Sequence, residues 1–190
     1  MTTATSRLDG RTVRRLANRN RMLDAALDLL AEGAEVNAET IAERAEVSAR
    51  SVYNHFPTSR ELVAGIYERG AEQVQPLLAK LPTIDVPFEE RVAQWVRIWA
   101  RIQQQLAPIR WRALVAEDEH PELQPEEAEL RRRHRAEIKR AFPEICGRAA
   151  QAAAVAATDS LMWRSLRHHQ GLSFESACEV VEETLRRLGT

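Results

Sequence analysis

The chain has 190 residues, 44% of them hydrophobic, so about 84 apolar side chains are available, enough for one or two modest cores. Its 27 basic and 28 acidic side chains leave a net charge of −1, and nothing in that total points to a polyanionic partner. Seven glycines and eight prolines, against about 23 in an average chain of this length, predict few turns and long helices. Ten aromatic residues argue against an aromatic-rich β-sandwich or barrel. A charged fraction of 29% and the lack of an apolar run near the ~20 residues of a membrane span exclude an integral membrane protein.

Two cysteines, Cys146 and Cys178, are too few for a disulfide framework. No apolar segment follows the charges at the N-terminus, so no secretory signal is expected and the cytoplasm is the expected compartment. Neutrality overall conceals a local surplus. Residues 1–21 carry six arginines (7, 11, 14, 15, 19 and 21) against the single acid Asp9. A cationic arm ahead of a folded domain suits attachment to nucleic acid, and equally suits a solvated tail.

Between Val13 and Leu30, Met22, Leu23, Ala26, Leu27, Leu29 and Leu30 follow a helical period, and Gly33 ends the helix. Asn37 caps a second, two-turn helix over 38–45 that buries Ile41, Ala42 and Ala45. Ser48 caps a third helix, 49–56, which stops before Pro57. Thr58 and Glu61 form a capping box that opens a fourth. Two short helices joined by a three-residue turn have the form of a helix-turn-helix, whose second helix lies in the DNA major groove. In that second helix Val52 and Phe56 pack inward, leaving Arg50, Ser51, Tyr53, Asn54 and His55 with hydrogen-bonding groups on other faces.

Three blocks in this order, Met22-Leu23-x-Ala25-Ala26-x-x-Leu29-Leu30, Ile41-Ala42-x-x-Ala45-x-Val47-Ser48 and Val52-Tyr53-x-His55-Phe56, resemble the DNA-binding segment of the TetR family of transcriptional regulators. The likeness covers about residues 13–63, with a looser echo in Trp163-Arg164-x-Leu166-Arg167 and Gly171-Leu172-Ser173. It implies an all-α chain: a basic flexible arm over 1–12, a three-helix helix-turn-helix DNA-binding domain over 13–58, and a helical effector-binding and dimerisation domain over 59–190. It further implies that Arg50, Ser51 and Asn54 read bases, that Tyr53, His55, Thr58 and Ser59 grip phosphates, and that arm arginines such as Arg14 and Arg15 reach the DNA backbone or minor groove. Three positions depart from the family pattern. Glu46 stands where glycine is usual, and a left-handed backbone there costs a non-glycine residue about 1–2 kcal/mol. The connection between the first two helices is about two residues short of the commonest spacing, and Ser59 replaces a frequent lysine. At Ser59 a helix N-terminus still offers amides to a phosphate.

Beyond Glu61, prolines divide the expected helices. Pro76 bends or ends the fourth, Pro82 and Pro87 bracket a linker, and Phe88 to Leu106 forms a helix with Val92, Trp95, Val96, Trp99 and Ile102 on one face. Pro108 opens a shorter helix to Ala116, Glu126 to Phe142 forms a charged one, and Pro143 starts another that reaches Gln170. Ser173 opens the last. Glu127–Arg131 and Glu129–Arg133 are favourable i,i+4 pairs on a solvated helix. The last two helices, alanine-rich and then bearing Leu161, Met162, Leu166, Phe174, Val181 and Leu185, are expected to form an isologous homodimer interface. Trp95, Trp99, Gln103 and Trp111 are candidates to line a small-molecule effector pocket, although a tryptophan stripe at helical spacing is also what a core looks like.

No G-x-S-x-G, P-loop or dinucleotide fingerprint is present. Glu117-x-x-His120 has the spacing of a di-iron ligand pair but no second copy, and the adjacent His168 and His169 point about 100° apart on a helix. Asp159, Ser160 and His168 lack an oxyanion hole. The expectation is therefore a non-enzyme without metal or cofactor: a repressor released from a palindromic double-stranded DNA operator by a small-molecule effector. The competing reading is a helical dimer with a degenerate helix-turn-helix that serves a protein partner.

Overall fold

The computed structural model describes residues 10–115 and 124–190, with the backbone alone over 111–115 and 124–127. Glu117, His120 and the Glu127–Arg131 pair involve residues outside that description. The described chain is helical with no strand: α1 Gly10–Glu32, α2 Ala38–Arg44, α3 Ala49–His55, α4 Ser59–Leu78, α5 Phe88–Val115, α6 Gln124–Ala141, α7 Arg148–Ala157, α8 Ser160–Arg164 and α9 Phe174–Leu188. It divides into two compact units that meet within α4, between Gln73 and Val74.

In the first unit α1 starts three residues before the expected Val13 and ends where Gly33 adopts φ 72°. Asn37 and Thr40 cap α2 reciprocally, the Thr40 N–H donating to Asn37 Oδ1 at 2.9 Å and the Asn37 N–H to Thr40 Oγ1 at 3.1 Å. Met22, Leu23, Ala26, Ile41, Val52 and Phe56 are buried as their spacing requires. The first fifteen residues of α4 belong to this unit rather than to the helical domain that Ser59 was expected to open. Two contacts explain it. Asp24 of α1 accepts a two-pronged bond from Arg69 at 2.7 and 3.0 Å and a third from Gln73 at 2.9 Å. A Cβ on Gly65 would lie 3.1–3.2 Å from Arg19, Leu23 and Phe56, so the bare backbone is what lets α4 come this close.

In the second unit an aromatic ladder organises the core. Phe88 meets Phe142 edge-on, Phe142 meets Trp95, Trp95 stacks on Trp99 at 6.1 Å, and Trp163 lies edge-on between Trp99 and Phe174. Beside it Arg91 is 1% exposed. Its guanidinium donates to the carbonyls of Ala141 and Ile84 at 2.9 Å each, to that of Val86, and to Glu144. One buried cation thereby ties α5 to the 84–86 loop and to the end of α6.

Three expectations about helix boundaries need correction. Pro108 does not start a new helix; α5 runs through it to Val115, since loss of one N–H is tolerated where packing on either side holds the helix. Pro143 does not open the next helix. A turn with Gly147 at φ 88° intervenes, and α7 starts at Arg148. The long helix to Gln170 is also divided: the Thr158 hydroxyl turns back to the Ala154 carbonyl at 2.8 Å, and Asp159 caps α8 through the Leu161 N–H at 2.8 Å. A π-helical turn, Ser165–His169, follows, and Gly171 (φ 67°) precedes the Ser173 cap of α9.

The interface assignment changes with the packing. Leu166, Val181 and Leu185 are buried in the core of the single chain, so these three are not a surface for a second copy, while Phe174 is half-buried against that core. Leu161 (45% exposed) and Met162 (39% exposed) do face solvent. Val180, one position from the expected Val181, joins them among the exposed apolar residues.

Candidate nucleic-acid interface

The helix-turn-helix is set by three local devices. The chain leaves α2 through Ala45 and turns at Glu46, whose φ of 54° is left-handed; it is the sole non-glycine residue with positive φ among the described residues. The turn is held by the Val47 N–H on the Ala42 carbonyl at 2.9 Å. Ser48 Oγ then accepts the Ser51 N–H at 3.2 Å and starts α3. Beyond α3 the Thr58–Glu61 capping box forms as its spacing predicts, each N–H donating to the other side chain at 3.2 Å.

Anchored inward by Val52 and Phe56, α3 turns Arg50, Tyr53 and Asn54 outward, Tyr53 with 55% of its surface exposed. Thr58 and Ser59 are exposed where α4 begins, and Arg14 and Arg15 are exposed near the start of α1. Ser51 and His55 are half-buried on the flanks of α3. Burial first, and then the positive charge of Arg15 and Arg19, holds the His55 imidazole below its usual value near 6.5.

Sequence reasoning missed three participants. Arg19 lies over the Phe56 ring, 5.4 Å from its centroid, and pairs with Glu68 at 3.4 Å. Glu39, in the first turn of α2, accepts from the Tyr53 hydroxyl over a long 3.5 Å. Gly65 was the one with a readable signal, an isolated glycine inside a helical pattern.

The second-unit candidates stand differently. Trp95 and Trp99 are core residues, 2% and 4% exposed, and both indole N–H groups are buried without an acceptor among the described residues. Gln103 is buried and accepts from the Ser160 hydroxyl at 2.7 Å. The side chain of Trp111 lies outside the described residues. Asp159 caps a helix and Ser160 is engaged with Gln103, so neither is arranged for nucleophilic chemistry. Among the described residues no cluster of three metal-ligating side chains occurs, and no helix is long and apolar enough to cross a membrane.

Residues 22–66 match the family model described as bacterial regulatory proteins, tetR family. Residues 22–66 of the first unit carry the tetR-family helix-turn-helix pattern. The matched stretch runs from Met22 to Ile66 and so contains α2, the Glu46 turn, α3 and the start of α4. Solved structures share the fold over most of the chain. A transcriptional regulator from Rhodococcus sp. Rha1 is 16% identical with a TM-score of 0.72, over 90% of this chain and 95% of that one. A TetR-family member from Streptomyces coelicolor A3 is 21% identical with a TM-score of 0.65, over 88% and 97%. The multidrug binding protein EbrR, solved with imidazole, is 20% identical with a TM-score of 0.61, over 99% and 97%. No curated protein sequence matches significantly. The chain thus has the fold of a TetR-family transcriptional regulator, with the helix-turn-helix inside the matched residues 22–66.

Proposed function

We propose that the chain acts as a homodimeric repressor that holds a palindromic operator and leaves it when a small molecule binds the second unit. The observation that carries the DNA half is α3 itself: two apolar anchors fix it while Arg50, Tyr53 and Asn54 stand in solvent with no core role. In this reading Arg50, Ser51 and Asn54 meet base edges. Tyr53, His55, Thr58, Ser59, Arg14 and Arg15 meet phosphates.

Two copies pair through the exposed Leu161, Met162 and Val180 and the exposed alanines 153 and 156, in place of the buried residues that spacing first suggested. Pairing sets two reading helices about one DNA turn, ~34 Å, apart. Leu161→Glu with Val180→Glu yields a folded monomer in sedimentation; a persistent dimer would move the interface elsewhere.

The effector half is supported by the likeness to EbrR, described as a multidrug binding protein, and by the two indole N–H groups of Trp95 and Trp99 that lack acceptors among the described residues. A ligand carrying a hydrogen-bond acceptor would satisfy them, relieving buried donors worth about 1–3 kcal/mol each. Linkage then requires that a ligand lowering DNA affinity be itself weakened by DNA by the same factor. The site of action is the cytoplasm, where the operator is.

The deciding experiment is selection of bound duplexes from a random-sequence pool, followed by sequencing. Enrichment of an inverted repeat, with steeply salt-dependent binding, supports a dimeric reader. Weak, salt-insensitive retention without enrichment would leave the domain as a protein-interaction module.

A further inference from the structure

We propose a second, separate ligand site on the α6–α7 face of the second unit, for an amphipathic carboxylate with an anionic head on an apolar body. A groove of about 800 Å³ lies there, within the roughly 300–1,000 Å³ of small-molecule sites. Ile145 and Val155 give it an apolar floor, and three cations, Arg135, Lys139 and Arg148, line it with no acidic residue among the lining side chains.

The charge pattern is what selects the occupant. Elsewhere on α6 the basic residues are engaged: Arg132 and Arg133 with Glu129 at 2.6 and 2.8 Å, and Arg140 with Glu137. Arg135, Lys139 and Arg148 have no ion-pair partner among the described residues. Arg135 and Lys139 stand four apart on one helix, a like-charge spacing that disfavours the helix. Arg148 opens α7, where the helix dipole already disfavours a cation. Each of these conflicts is relieved by one bound anion, and the apolar floor requires that the anion carry a hydrocarbon body. The groove is lined by none of the core tryptophans and by no residue of the first unit.

Cys146, exposed and lining the groove, reports on it, while Cys178 is buried and serves as the internal reference. Decanoate is titrated into the full-length protein, with acetate and decanol as controls, and the rate of Cys146 alkylation by the neutral reagent iodoacetamide is followed by mass spectrometry. Decanoate is expected to protect Cys146 where acetate and decanol do not. In Arg135→Gln with Lys139→Gln, two exposed side chains whose loss leaves the core untouched, the decanoate concentration for half-protection rises about tenfold. Ala152→Glu, which adds an acid to the groove lining, removes the protection independently. Equal protection by decanol, protection unchanged in the double variant, or no protection at all would each overturn the proposal. So would protection that grows with protein concentration alone, which would seat a second copy there instead.

Discussion

The two units of this chain place their polar chemistry in opposite ways. In the first, charges and hydroxyls sit on the outside of a small apolar core: the Arg69–Asp24 pair keeps 24% and 39% exposure, and α3 carries its hydrogen-bonding groups in solvent. In the second, polarity is drawn inside, with Arg91 buried among carbonyls, Ser160 on Gln103, and Thr158 on His134 at 3.0 Å. Exposed pairs contribute little to stability, whereas a buried charge with satisfied bonds becomes indispensable once its partners have been desolvated around it. The first unit can therefore vary its surface to read DNA. The second cannot lose its internal polar ties without losing its packing.

The largest expected effect tests that contrast directly. Arg91→Ala strips four acceptors of their donor and destabilises the second unit by about 3–5 kcal/mol. The four tryptophans all lie in that unit, so fluorescence during urea unfolding reads it selectively. A loss no larger than that of Asp24→Asn in the first unit, about 1 kcal/mol or less, would erase the distinction.

Next in size, Tyr53→Ala with His55→Ala lowers operator affinity about a hundredfold or more, as expected for two lost bonds to phosphate. The circular dichroism melt stays nearly unchanged, because Tyr53 is exposed and His55 only half-buried. Intact DNA binding would reassign both residues.

Glu46→Gly is a smaller, stabilising change. With φ at 54°, glutamate bears a left-handed penalty that glycine does not, so the first unit gains about 1 kcal/mol in denaturant titration, less what glycine adds to the unfolded chain's entropy. A destabilised variant would mean that the Glu46 side chain contributes contacts beyond its backbone.

The smallest effect is a pH dependence. Burial, and after it the charge of Arg110, lowers the pKa of His134 from its usual value near 6.5. The folded chain thus binds fewer protons there than the unfolded chain, so this contribution to stability is full above that value and is lost as pH falls below it. Tryptophan-detected melting should drop as pH falls below about 6.5, and His134→Gln should flatten part of that drop. An identical slope in the variant would exclude the Thr158–His134 contact as its source.

Sequence alone determined the first unit almost completely. Asn37, Ser48, Thr58 and Glu61 cap the helices that their spacing announces, and Val52 and Phe56 are buried where an i,i+4 pair should be, because capping and amphipathic periodicity are local physics. The same local signals ended α1 at Gly33, which takes a left-handed φ of 72°. What sequence could not determine was which of several apolar faces meets which. Val181 and Leu185 have the periodicity of an interface and of a core alike, and only the packing of α9 against α5 and α7 makes them core and leaves Val180 outside. Helix continuity through Pro108 was likewise decided by tertiary contact, against the local preference of proline. The partners of Arg91 and Asp24, 50 and 45 residues away at Ala141 and Arg69, belong to the same class. No periodicity encodes a contact over that separation, because it exists only once both helices have been brought together.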